Sequence, residues 1–193
     1  MIHDHGGSDL VRDAEERTRA WLERVVIGLN LCPFAKEVHV RGRVRFCVSD
    51  AEDEETLLAD LEDELLRLDA SDAAVVETTL LLHPGVLADF IDYNNFLDRA
   101  DSALERLDLA DRIQVASFHP DYRFADADEG DAANCSNRSP LPLLHLLRQS
   151  SVDRAVAAFP DAADIYERNI ATLRALGVAG WRRVRDGEAP ASD

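Results

Sequence analysis

Ile113-Gln114-Val115-Ala116-Ser117-Phe118-His119-Pro120-Asp121-Tyr122-Arg123-Phe124 is the stretch on which the reading of the fold turns. Its first half is an apolar run built from β-favouring residues, and it reads as a buried strand. Its second half changes character at once: His119 leaves the strand, Pro120 limits where the chain can go, and Asp121, Tyr122 and Arg123 follow. A second stretch, Asn137-Arg138-Ser139-Pro140-Leu141-Pro142-Leu143-Leu144-His145-Leu146-Leu147-Arg148, reads as the start of a helix. Ser139 would be its polar cap, the prolines would stand where a missing N–H does least harm, and a Leu-rich face would follow. Polar side chains just beyond a strand's carboxyl end, and around a helix start, are where α/β proteins commonly build a site.

Outward from that stretch, helices and strands alternate. Ser8 can cap a helix to about Leu29, with Leu10, Ala14, Trp21, Val25 and Leu29 at core-facing spacing. Pro33 suits the first position of a short second helix, which would make Cys32 its cap. Strands are expected at Val44–Val48, Ala74–Leu82 and Ile113–Phe118, and helices at Asp53–Leu68, with Leu57, Leu58, Leu61, Leu65 and Leu68 inward, and at Val86–Leu107. Further helices are expected at Pro140–Gln149, Val152–Phe159 and Ala162–Leu176, the last stopped by Gly177. The reading is an α/β fold: a small three-stranded, largely parallel sheet with flanking helices and a helical C-terminal third. A ferredoxin-like α+β arrangement is the alternative. In the parallel case His83 and His119 open onto the same sheet edge. One domain is expected over residues 8–177, with residues 1–7 and 182–193 as flexible tails. The acidic segment between Phe124 and Asn137 reads as a lid or a mobile insertion.

A net charge of −17 argues against a nucleic-acid partner, which needs a basic stripe. Hydrophobic residues make up 46%, enough for a core, and never run long enough to span a bilayer, so no membrane partner is expected. The three cysteines, Cys32, Cys47 and Cys135, form no CxxC and no paired framework, and the first residues carry no basic-then-apolar leader. Both features point to the cytoplasm. Leu-rich helical faces allow a homodimer.

Three groups carry candidate chemistry. Cys32 at a helix start would be held as thiolate by the helix dipole, against the alternative of a small core residue beside a turn. His119, with Asp121 two residues on, could move a proton; a loop His bonded to backbone is the bland alternative. Arg138 and the Ser139 helix start would hold a carboxylate or phosphate. His145 reads equally as catalytic or as a satisfied half-buried imidazole, and Arg148 as a substrate contact or as the electrostatic end of its helix. No His-x3-His or CxxC spacing points to a metal, so none is assigned, and no Gly-rich phosphate loop, GxSxG or dinucleotide fingerprint is present.

The pieces Asn30-Leu31-Cys32-Pro33-Phe34-Ala35, Gln114 through Phe124, and Asn137-Arg138-Ser139-Pro140 through Arg148 occur in order over residues 10–175. In them the chain resembles the mainly bacterial family catalogued as domain of unknown function 1415. The resemblance brings no activity, cofactor or site residue with it.

The leading expectation is therefore a cytosolic enzyme acting on a small anionic metabolite or acyl-type substrate, with its cofactor unknown. Cys32, His119, Asp121 and His145 are its candidate catalytic residues. Asn30, Tyr122, Asn137, Arg138, Ser139 and Arg148 are its candidate substrate contacts. The alternatives are a metal-dependent enzyme using His119, His145 and Cys32, and a non-catalytic ligand-binding or structural module.

Overall fold

The computed structural model describes residues 6–158 and 162–188. Helix α1, Gly6–Trp21, continues as a π-helical segment, Leu22–Ile27. Short helix α2, Ala35–Val40, precedes strand β1, Val44–Val48. Then come α3, Glu54–Ala70; β2, Thr78–Leu82; α4, Phe90–Arg106; and β3, Ile113–Phe118. A 3-10 turn, Ala132–Ser136, leads to β4, Leu143–Arg148, followed by α5, Gln149–Ala158, and α6, Ala162–Asp186.

The sheet has four strands in the order β1-β2-β4-β3, one more than expected. β1 runs parallel to β2, whereas β4 is antiparallel to both of its neighbours, β2 and β3, so the sheet is mixed where a largely parallel one was expected. Hence β2 and β3 point the same way with one strand between them. His83 and His119, one residue beyond each, leave at the same edge, in agreement with the parallel reading.

The extra strand comes from the segment expected to be a helix. Leu143-Leu144-His145-Leu146-Leu147 has high helix propensity, but a short unbroken apolar run also suits a central strand buried on both faces. Tertiary context favours the strand: Leu144 and Leu146 join the core under α3 and α4, while Leu143 joins the core under α1 and α6. Pro142 fits just before it, because only its carbonyl is needed, accepting the His83 N–H at 3.1 Å.

Helices thus cover both faces. On one, Leu57, Leu61, Leu65 and Leu68 of α3 and Tyr93, Phe96, Ala100 and Ala103 of α4 pack on Leu81 and Ile113. Asp53 caps α3 by accepting the Thr56 N–H, and Asp89 caps α4 through Ile91 and Asp92. On the other face, Ala14, Trp21, Val25, Leu173 and Trp181 pack on Leu80, Leu82 and Leu143. Leu10 is 72% exposed, so the inward stripe of α1 starts one turn later than its spacing implies.

Two helix ends differ from expectation. At Gly177 (φ 69°) the backbone turns out of helical geometry, which glycine tolerates best. Instead of stopping there, α6 resumes and runs to Asp186, burying Trp181, so residues 182–186 are helix rather than tail. Residues 1–5 and 189–193 of the expected tails, and Phe159 at the expected end of α5, lie outside the described residues. The first helix begins at Gly6, two residues before the expected cap at Ser8.

Candidate ligand cleft at the carboxyl edge of the sheet

The edge where β2 and β3 end is organised by Tyr93 of α4. Its hydroxyl donates to the Leu143 carbonyl (2.8 Å) and accepts the Phe118 N–H (2.9 Å). It thereby sits inside the last paired position of β3 and β4, Phe118 opposite Leu143. Burial pushes its phenol pKa well up, so it stays a neutral bridge. Two imidazoles flank its ring: His83 stacks with centroids 5.7 Å apart, and His119 lies tilted at 5.1 Å.

Both histidines are fully buried. His119 donates from Nε2 to the Leu87 carbonyl (3.2 Å) and accepts the Asp121 N–H at Nδ1 (3.0 Å). Those partners fix its neutral tautomer, and burial lowers its pKa, opposed by the Leu87 bond. Asp121 therefore orients His119 with its backbone, where a carboxylate contact was expected. His83 donates from Nδ1 to the Val86 carbonyl (3.1 Å). Its Nε2 is buried with no hydrogen-bond partner among the described residues. Burial brings its pKa down to about 4.

The excursion after Phe124 returns to where it left. The His119 N–H donates to the Asn137 carbonyl (3.1 Å) and the Ser139 N–H to the His119 carbonyl (3.4 Å), while Asn137 Nδ2 donates to the Ser117 carbonyl (3.0 Å). It is anchored, however, where a lid or mobile insertion was expected. Ala132, Ala133 and Cys135 are buried, and Asp131 makes a two-pronged ion pair with Arg174 of α6 (2.7 and 3.1 Å). That guanidinium, with the Ala133 N–H, holds the Asp131 carboxyl down to about 2.

No helix begins at Ser139, whose hydroxyl donates to the Leu141 carbonyl (2.6 Å) in the turn before β4. The expected helix-start anion site is absent for that reason. Arg138 is engaged too, donating to the carbonyls of Tyr122 (3.1 Å) and Glu129 (3.1 Å) rather than pairing with Asp121. Asn134, buried, accepts the Phe124 N–H at Oδ1 (3.0 Å) and donates from Nδ2 to the Asp128 carbonyl (2.8 Å). These two side chains clamp the segment 122–129 at both ends. Asn134 escapes a sequence reading because one amide in a polar loop gives no periodic signal, and Tyr93 because it reads as one more core aromatic of α4.

The clamped segment forms one wall of a cleft of about 470 Å³, lined by Arg123, Phe124, Ala125, Ala127, Asp128 and Glu129 and, across from them, by Phe90, Ile91 and Asn94 of α4. Such a volume falls within the range of small-molecule sites. Phe90 separates it from the buried stack, lying 5.5 Å from His119 and 5.3 Å from Tyr122 between ring centroids. Arg123 is exposed, and among the described residues it makes no hydrogen bond or ion pair.

The remaining candidates lie elsewhere. His145 is half-buried in the middle of β4; its Nε2 donates to Thr78 Oγ1 (2.7 Å), which donates onward to the Leu146 carbonyl. Burial brings its pKa to about 4. It projects toward the α1 and α6 face, 6.1 Å from the Phe118 ring, whereas His119 faces α4. Arg148 stands at the opposite sheet edge, donating to the carbonyls of Leu68 (2.6 Å), Ser71 (2.6 Å) and Val76 (3.0 Å), where it caps the end of α3. Cys32, half-buried, sits in a turn before α2, which starts at Ala35 with Phe34 as its cap residue, so it does not cap a helix. Its neighbour Leu31 joins the core under α6 and accepts from Asn169 Nδ2 (2.7 Å). Asn30 precedes it with φ 54° and is exposed. Among the described residues, no group of three His, Cys, Asp or Glu side chains is placed to hold a metal ion, and no helix is long and apolar enough to cross a membrane.

The three ordered motifs lie within the span matched by one family model. The family described as "Protein of unknown function (DUF1415)" matches residues 13–183, and the chain belongs to it. Comparison with curated proteins and with solved structures gave no match.

Proposed function

We propose that this chain is a cytosolic protein that binds a small anionic metabolite in the cleft between α4 and the clamped segment 122–129. The observation that carries this reading is Arg123: a guanidinium lining the cleft without a partner among the described residues, where a carboxylate or phosphate can accept two parallel hydrogen bonds. Asn94 offers an amide opposite. Arg138 and Asn134 hold the wall in place before the ligand arrives, which lowers the ordering cost of binding. Arg138 thus supports the anion site by positioning, and Arg123 replaces it as the contact.

Isothermal titration with a panel of small carboxylates and phosphates tests the reading. Arg123→Gln removes binding and leaves thermal stability unchanged, while Arg138→Gln lowers both. Wild-type affinity in Arg123→Gln contradicts the proposal.

A second, catalytic reading has one observation in its favour. His83 Nε2 is a buried imidazole lone pair with no partner among the described residues, on a ring held neutral by burial and stacked on Tyr93. In that reading His83 is the proton acceptor, because both nitrogens of His119 are already engaged. His83→Gln then abolishes turnover of whichever panel member binds while leaving its affinity intact. The metal-dependent alternative has no such support, since His119 and His145 leave the sheet on opposite faces.

A further inference from the structure

The charges of the cleft narrow its ligand beyond an anion. Arg123 is joined there by Asp128 and Glu129, and among the described residues neither carboxylate makes a hydrogen bond or ion pair. The backbone carbonyls of both acids are taken, that of Asp128 by Asn134 and that of Glu129 by Arg138. The peptide groups are therefore fixed while the carboxylates stay available. With one cation and two anions, the lining answers an anion at Arg123 and leaves two carboxylates unanswered, in a chain whose net charge is −17. A molecule carrying a cation as well meets a complementary group for each of its charges.

The rest of the lining says what accompanies those charges. Phe90, Ile91 and Phe124 form an apolar wall, and Ile91 is 55% exposed although it is a large aliphatic side chain at the start of a helix. Burying it on a ligand is favourable at about 25 cal/mol per Å² of apolar surface covered.

We infer that the cleft takes a small zwitterion carrying a carboxylate, an ammonium and an apolar portion, of which an apolar α-amino acid is the simplest. The carboxylate pairs with Arg123, the ammonium with Asp128 and Glu129, and the apolar portion covers Ile91 and Phe90. This rests on the anion-binding reading above and adds the cationic group to it. It also assigns work to two acids inside a segment that otherwise looks like solvated acidic loop.

Three probes with the same branched apolar end separate the contributions: leucine, 4-methylpentanoate, which lacks the amine, and 3-methylbutylamine, which lacks the carboxylate. Each is titrated at pH 7 against wild type, Arg123→Gln and the double variant Asp128→Asn/Glu129→Gln. Leucine is expected to bind wild type about tenfold or more tightly than either fragment, the scale of one charge-assisted hydrogen bond. In the double variant leucine and 4-methylpentanoate become equal. If 4-methylpentanoate binds wild type as tightly as leucine and still depends on Arg123, the zwitterion inference is overturned and the anion site stands. If none of the three binds, or binding is unchanged in Arg123→Gln, both are overturned.

Discussion

Tyr93 shows how much one hydroxyl can hold. It donates to one strand and accepts from the next at the point where the ladder between β3 and β4 ends, and its ring carries His83 and His119 on either side. Tyr93→Phe keeps the ring and leaves the Leu143 carbonyl and the Phe118 N–H buried without partners. The expected cost is about 2–4 kcal/mol of unfolding free energy, from two desolvated groups at roughly 1–2 kcal/mol each. Denaturant titration measures it, and a loss below about 0.5 kcal/mol would show that water or backbone repairs the gap. Motif residues prove legible as important at this scale and illegible as to role. Arg138, Arg148 and Asn137 look like ligand contacts in the sequence, and each turns out to hold backbone carbonyls. Arginine and asparagine donors serve a peptide oxygen as well as a carboxylate, so residue type alone does not separate the two uses.

At the scale of elements, β4 is the piece that decides the architecture. It lies between two strands running opposite to it, so its amides pair alternately with β2 and β3. Hydrogen exchange is accordingly expected to be slow at consecutive amides from Leu144 to Leu147, and slow only at alternate positions in β3, an edge strand. Fast exchange across the β4 segment would contradict the strand assignment. β1 and β3 were legible to the residue, at Val44–Val48 and Ile113–Phe118, because apolar alternation and flanking turn residues agree there. The β4 segment was not, because leucine is at home in a helix and a strand buried on both faces has no alternation to display. The break at Gly177 was visible in the sequence. The helix that resumes beyond it was not, since that depends on Trp181 finding the core under α1.

For the whole molecule, imidazoles with depressed pKa values shape the pH dependence above the carboxylate range. His83 and His145 have folded-state pKa values of about 4, below the ordinary 6.5 or so of an unfolded chain. Between those values the unfolded chain binds protons that the folded one refuses, so stability is full above about pH 6.5 and falls as pH drops toward 4. Each histidine can withdraw up to about 3 kcal/mol across that window. His119, whose pKa burial also lowers, adds to the same slope, so replacing one of the three, as in His145→Leu, should flatten the slope of unfolding free energy against pH without abolishing it. An unchanged slope would mean that His145 titrates normally in the folded state.

In the proposed site Arg123, and not Arg138, meets the ligand. Arginine side-chain Nε–H cross-peaks in a ¹H–¹⁵N spectrum, with Arg123 assigned through Arg123→Lys, read this directly when leucine or 4-methylpentanoate is titrated in. A saturable shift of the Arg123 peak, with Arg138 held at its carbonyls and nearly unmoved, is the predicted result. A still Arg123 peak, alongside a saturable shift at Arg138, would contradict the account.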